Sequence, residues 1–329
     1  MKIIMYFLLI AILFISISSC KEELLINDPG NLVPKTADLD PDIPSVEING
    51  AILHRESFGH PDSTIVLVLH GGPGSDYRYL LRCKALTEYG YKVVFYDQRG
   101  TGLSQRFPYS IYNMQIMYDD LSGIIDHYKS HENQKIILLG HSWGAMLATA
   151  YINEYPEAIA GVILCEPGGL KWKDVEDYLY RSREIGFFSE SLNDAVYMEQ
   201  FITGKGDEHA ILDYKFGLWA AAEEESPIGN EGPLPSWRGG AVTFNALFDT
   251  AEKNSPDWTT HLDKFDKEIL FVYSESNKAY GSIHAQKVSS AYQKVTLFET
   301  KSAGHDMLTF EKGWNNTLPA IISYLNKIN

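Results

Sequence analysis

Gly140-His141-Ser142-Trp143-Gly144 constrains this chain more than any other stretch, because of what stands on either side of it. Before it, Lys135-Ile136-Ile137-Leu138-Leu139 is a short, apolar, β-branched run that reads as a buried strand. After it, residues 145–152 read as a helix stopped by Pro156. A serine with glycines two before and two after it, set between strand and helix, is the G-x-S-x-G pattern of a nucleophile held on a sharp turn. The turn holds Ser142 in a strained backbone conformation, and only glycine-sized flanks let strand and helix approach closely. The serine Oγ is then presented at a helix N-terminus above the sheet, within reach of a histidine.

The opening residues predict a leader. Lys2 supplies a positive start, residues 3–17 are almost unbroken apolar sequence, and Ser18-Ser19-Cys20 follows. This resembles the lipobox of bacterial lipoprotein signal peptides, and the resemblance implies lipidation of Cys20; an uncleaved N-terminal anchor is the alternative. Either way the expectation is an exported body tethered to a bacterial membrane, on the periplasmic side or at the cell surface. Lys21-Glu22-Glu23 resembles surface-export signals of some Gram-negative lipoproteins. Of the 329 residues, those after position 20 suffice for one large core with an inserted subdomain. One disulfide between Cys83 and Cys165 is conceivable in an oxidising compartment, but no framework is implied, and the apolar run around Cys165 suits a buried free thiol. A formal charge of −15 without a basic cluster argues against nucleic acid and anionic lipid surfaces as partners.

Alternation of elements sets the fold class. Val46-Glu47-Ile48, Asn49-Gly50 and Ala51-Ile52-Leu53-His54 form a hairpin signal. Residues 64–69 and 91–96 read as buried strands with a helical stretch at 79–89 between them. Strand character recurs at 160–164, 268–273 and 294–299. The pattern predicts an α/β protein with a mostly parallel central sheet and helices on both faces. Residues 168–261 are helical in flavour, aromatic-rich and loop-interrupted, and read as a helical cap inserted after strand 6. The expected division is a leader over 1–20, an extended tether over 21–44, a catalytic domain over 45–167 and 262–329, and the cap between.

Three further segments complete a constellation. His70-Gly71-Gly72-Pro73-Gly74 follows a strand, and its glycines can turn N–H groups toward an oxyanion. Asp97-Gln98-Arg99-Gly100-Thr101-Gly102-Leu103-Ser104 follows the next strand and reads as structural, with Asp97 and Arg99 pairing to brace the turns. Gly304-His305-Asp306 comes after the last strand, where a general base belongs. Together these residues resemble the α/β-hydrolase superfamily and, within it, the proline iminopeptidase-like serine hydrolases (peptidase S33-like). The resemblance implies the α/β-hydrolase fold, Ser142 as nucleophile, His305 as base, and Gly72 and Trp143 as oxyanion-hole donors.

The acid departs from the family pattern. The usual Asp after strand 7 is replaced, in Ser274-Glu275-Ser276-Asn277, by Asn277, whose amide cannot stabilise an imidazolium. Glu166, directly after strand 6, takes its place in this reading, an arrangement known in some α/β-hydrolases; Glu275 is the rival. In the cap, Trp219-Ala220-Ala221-Ala222-Glu223 partly matches the Trp-x-x-Trp-Glu segment with which proline iminopeptidases hold a substrate's α-ammonium. Glu223 is therefore a candidate substrate-binding residue, although the second Trp is Ala. Tyr178, Tyr180, Phe187, Phe188, Tyr214, Phe216 and Trp237 are candidate pocket walls or cap core. No His/Cys cluster has metal-ligand spacing, so neither metal nor organic cofactor is expected. The reading is a serine aminopeptidase on short peptides; a carboxylesterase or amidase on small acyl compounds, and a non-catalytic binding lipoprotein, are the alternatives.

Overall fold

The computed structural model describes residues 33–182, 208–221 and 227–328. Eight strands form one sheet: β1 (Ser45–Ile48), β2 (Ala51–Phe58), β3 (Ile65–Leu69), β4 (Lys92–Tyr96), β5 (Ile136–His141), β6 (Gly161–Cys165), β7 (Ile269–Ser274) and β8 (Val295–Thr300). Their order is β1-β2-β4-β3-β5-β6-β7-β8. Only the β1–β2 and β2–β4 pairs are antiparallel. The β1–β2 hairpin turns through Asn49 and Gly50, both at positive φ (50° and 72°), the two-residue geometry that asparagine and glycine tolerate.

Helices are α1 (Met114–Tyr128), α2 (Trp143–Glu154), α3 (Trp172–Ser182), α4 (Glu208–Ala221), α5 (Ala241–Asn254), α6 (Gly281–Ser289) and α7 (Glu311–Ile328), with a 3-10 stretch over Tyr77–Tyr89. The strand periodicity of two divides the core. Ile65, Leu67 and Leu69 pack with α1 and α2, whereas Val66 and Val68 pack with the 3-10 stretch and α7. Both faces of the central strands are thus covered, which is why those strands read as continuous apolar runs. Cys83 and Cys165 are buried free thiols, and burial raises the Cys83 thiol to about 12.

Residues 33–44, placed by sequence in an extended tether, pack against the body. Thr36 and Ala37 are buried, Ala37 N–H donates to Leu103 O (2.8 Å), and Arg238 Nη1 donates to Pro34 O (2.9 Å). The proposed leader, with Cys20, lies outside the described residues.

Candidate active site

The elbow is built by close backbone approach. Ser142 sits at φ 55°, ψ −120°, a region that a non-glycine residue occupies only under constraint. A Cβ on Gly140 would stand 2.4 Å from Gly144 O, and one on Gly144 would stand 2.1 Å from Leu69 O. Both positions therefore require glycine. Ser142 N–H donates to Cys165 O (2.8 Å), tying the turn to the end of β6.

Glu166 follows at once. It too has positive φ (47°), it is wholly buried, and its N–H donates to Val272 O (2.9 Å). Its carboxylate is surrounded by donors. Oε1 accepts from Ser274 N–H (2.7 Å) and Ser274 Oγ–H (2.6 Å). Oε2 accepts from Asn277 Nδ2–H (2.8 Å) and lies 2.6 Å from His305 Nδ1. Asn277 is thus a donor to the carboxylate that faces the histidine. Glu275 faces away: it is exposed, accepts from Lys301 Nζ (3.3 Å) and Ser302 N–H (2.9 Å), and these contacts, the Ser302 bond first, hold its carboxyl below the usual range.

His305 is delivered by a loop pinned to residues 228–231. His305 N–H donates to Ile228 O (2.9 Å), and Asp306 Oδ2 accepts from Glu231 N–H (2.5 Å). Gly304 permits this approach, since a Cβ there would be 1.9 Å from Gly229 O. The His305 ring stands 4.5 Å, centroid to centroid, from that of His141, the residue before Ser142. No described hydrogen bond joins Ser142 Oγ to His305. With Nδ1 engaged by Glu166, Nε2 is the nitrogen left for chemistry.

Gly72, Ser142 and Trp143 line one pocket. Trp143 opens α2, so its N–H is among the first-turn donors that have no helical acceptor. Gly72 has φ 121°, and a Cβ on it would lie 2.2 Å from Gly74 N. Gln98 links both halves: its Oε1 accepts from Trp143 Nε1–H (2.9 Å) and its Nε2–H donates to His70 O (3.0 Å). A second link runs through His141. His141 Nε2 lies 2.6 Å from His305 O, a pure acceptor, so Nε2 carries the proton and Nδ1 accepts from Tyr79 OH (2.8 Å). Tyr79 OH in turn accepts from Gly71 N–H (2.7 Å). Burial, and then the neighbouring His305, hold His141 well below the usual histidine value, so it is neutral and this chain of donors is fixed.

The 97–104 segment braces the site, but not by the expected pair. Arg99 forms a two-pronged ion pair with Asp120 of α1 (both contacts 2.7 Å). Asp97 faces His54 Nδ1 (2.7 Å) and accepts from Tyr77 and Leu103 N–H (3.0 and 2.8 Å). The two side chains part in the loop that follows β4, and each finds a buried partner on another element.

The aromatic candidates divide. Tyr178 lines the pocket, Tyr180 is exposed, Phe216 packs on Phe244, and Trp237 packs edge-on to His54 and Tyr77. Phe187, Phe188 and Glu223 lie outside the described residues. The wall that sequence reading missed comes from α3 (Trp172, Val175, Leu179) and α5 (Phe244, Leu247, Phe248, Ala251). Their i, i+3, i+4, i+7 spacing was the available signal. Among the described residues, no group of three or more His, Cys, Asp or Glu side chains is placed to hold a metal ion.

This sheet, elbow and histidine loop define a hydrolase of the α/β-hydrolase fold. A family model described as "Serine aminopeptidase, S33" matches residues 60–188. A proline iminopeptidase of Pestalotiopsis fici, PfmaB, is 35% identical over 281 residues, covering 80% of this chain and 92% of that protein. The AB hydrolase superfamily protein YfhM of Bacillus subtilis is 33% identical over 120 residues, 36% of this chain and only 41% of that protein. Among solved structures, the proline iminopeptidase of Mycobacterium smegmatis superposes with a TM-score of 0.58 at 16% identity, covering 86% of this chain and 97% of that one. The chain belongs to the proline iminopeptidase-like family of α/β-hydrolases.

Proposed function

We propose that this hydrolase works through a covalent acyl-enzyme on Ser142 and removes N-terminal residues from short peptides. The observation that carries the reading is the buried Glu166 carboxylate 2.6 Å from His305 Nδ1, beside a serine elbow. In this mechanism His305 Nε2 takes the Ser142 proton as Oγ attacks the scissile carbonyl, and Glu166 stabilises the imidazolium that forms. The N–H groups of Gly72 and Trp143 receive the oxyanion. Collapse expels the amine, which takes the proton from His305; water then repeats the sequence to release the acid. Support for a peptide substrate comes from the names of the relatives. Glu223 is proposed to hold the substrate ammonium, and Cys20 to carry a lipid that anchors the exported enzyme.

The test compares full-length wild type and Ser142→Ala, in detergent, on free-amine prolyl and alanyl arylamides and on short-chain esters. Serine-dependent cleavage of the arylamides is the expected result, and N-acetylating them should abolish it. Cleavage of esters alone would replace the aminopeptidase reading with a carboxylesterase. Activity unchanged in Ser142→Ala would refute the acyl-enzyme.

A further inference from the structure

We infer that the pocket beside Ser142 is an acyl site for a bulky, uncharged apolar group: an aliphatic chain or single aromatic ring much larger than acetyl. This rests on the Ser142 acyl-enzyme reading and adds the class of group that the site accepts.

Two helical stripes line the pocket. From α3 come Trp172, Val175 and Leu179; from α5 come Phe244, Leu247, Phe248 and Ala251. From Phe244 to Ala251 the α5 stripe spans about 10 Å of helix at 1.5 Å per residue, an apolar wall longer than a two-carbon acyl group. Met146 and Trp258 extend it, and Ser142, Trp143 and Gly72 stand at the same cavity. Among the described residues, no carboxylate, ammonium, guanidinium or imidazole lines it. The phenol of Tyr178 accepts a hydrogen bond from Asn277 Nδ2–H (3.2 Å). Trp172 packs edge-on to Phe248 (5.2 Å) and Trp143 edge-on to Trp258 (6.3 Å), so the wall is interlocked. A charged acyl side chain would be desolvated there without a partner among these residues, whereas an apolar one gains by leaving water.

Ala251 closes the α5 stripe with the smallest side chain on it. A larger residue there would shorten the space while leaving the elbow untouched.

The experiment uses alkyl fluorophosphonates carrying methyl or hexyl on phosphorus, each rate normalised to its hydrolysis in buffer. In the labelling step the Ser142 Oγ–P bond forms, the P–F bond breaks, fluoride leaves, and the serine proton passes to His305. Each methylene moved from water to an apolar wall is worth roughly fourfold in affinity, so partial burial of the hexyl chain should speed labelling by at least ~30-fold over methyl. In Ala251→Phe that ratio should fall about tenfold, and in Ser142→Ala peptide mapping should find no label at that position. Should Ala251→Phe not fold, the wild-type ratio alone decides. Labelling of Ser142 at equal rates by both probes overturns the apolar acyl site and leaves the acyl-enzyme reading standing. Failure of both probes to label Ser142 overturns both readings. Leucyl or phenylalanyl arylamides set against hexanoyl arylamide then identify whether the apolar group arrives as an N-terminal residue or as a plain acyl chain.

Discussion

Glu166→Gln tests the site most directly, because the donors around the carboxylate dictate what an amide must do there. A glutamine places its NH2 at one of two positions. At the Oε1 position it meets the Ser274 backbone N–H, 2.7 Å from the present oxygen, a donor that cannot turn round. A buried donor facing a donor costs about 1–3 kcal/mol. At the Oε2 position it meets Asn277 and His305. Asn277 cannot flip without losing the Oδ1 acceptor that receives Tyr280 N–H (3.0 Å). His305 adapts only by moving its proton from Nδ1 to Nε2, and a ring protonated at Nε2 cannot take the serine proton. Both arrangements also remove the charge that stabilises the imidazolium. The same exchange in a serine triad lowers turnover by about 10⁴, equivalent to about 5 kcal/mol of barrier. The expected outcome is a fall of roughly 10³–10⁴ in kcat with KM changed only a few-fold. The assay is ester or arylamide hydrolysis by full-length protein, with Ser142→Ala setting the background. Glu275→Gln, altering an exposed side chain paired with Lys301, should match wild type. Glu166→Gln within tenfold of wild type, or Glu275→Gln falling as far, would refute the reasoning.

Asn277→Asp replaces the donor that lies 2.8 Å from Glu166 Oε2 with a second acceptor. Unfolding in urea should show a loss of about 1–3 kcal/mol at pH 8, shrinking near pH 5, where the two carboxyls can share a proton. Tyr79→Phe leaves Gly71 N–H and His141 Nδ1 without their shared partner. It should lower kcat about tenfold with little effect on KM, the mark of a group that positions the oxyanion loop; an equal change in both would refute that role. Asp76 supplies a pH test. Burial first, and then the neighbouring Asp97, raise its carboxyl from 3.8 to about 6. The folded value lies above the unfolded one, so its stabilising contribution is complete below about pH 4 and lost as pH rises through about 6. At 1.36 kcal/mol per unit this is on the order of 3 kcal/mol. The stability difference between wild type and Asp76→Asn should shrink by that order from pH 4 to pH 7, and a constant difference would refute the titration.

What was legible in the sequence depended on whether a local pattern carried the constraint. The elbow was readable because steric demand leaves glycine at 140 and 144 and apolar residues on the strand before them. The sheet was readable because its central strands are buried on both faces. The helices α1, α6 and α7 were not singled out, although α7 carries a clear amphipathic pattern. The Asp97–Arg99 pair failed because both residues lie beyond the end of β4, where a spacing of two no longer puts side chains on one face, and each meets a buried partner on another element. The Glu166–His305 contact was reached by a different inference, from a missing carboxylate at 277 and a present one at 166. Its physical counterpart was invisible to that argument. Moving the anion to the end of β6 leaves the old position needing a donor, and asparagine is nearly the shape of aspartate with one acceptor exchanged for two N–H groups. Asn277 is therefore the complement of Glu166: one side chain brings the acceptor oxygens, and the other donates to them without adding a second carboxylate beside it. Ser274 completes that cradle through its N–H and its hydroxyl, and nothing in its own type announced this. The pocket wall escaped notice for a similar reason. Its apolar stripes on α3 and α5 have the spacing of ordinary core faces, and only the meeting of two such faces beside a serine distinguishes a binding surface from packing.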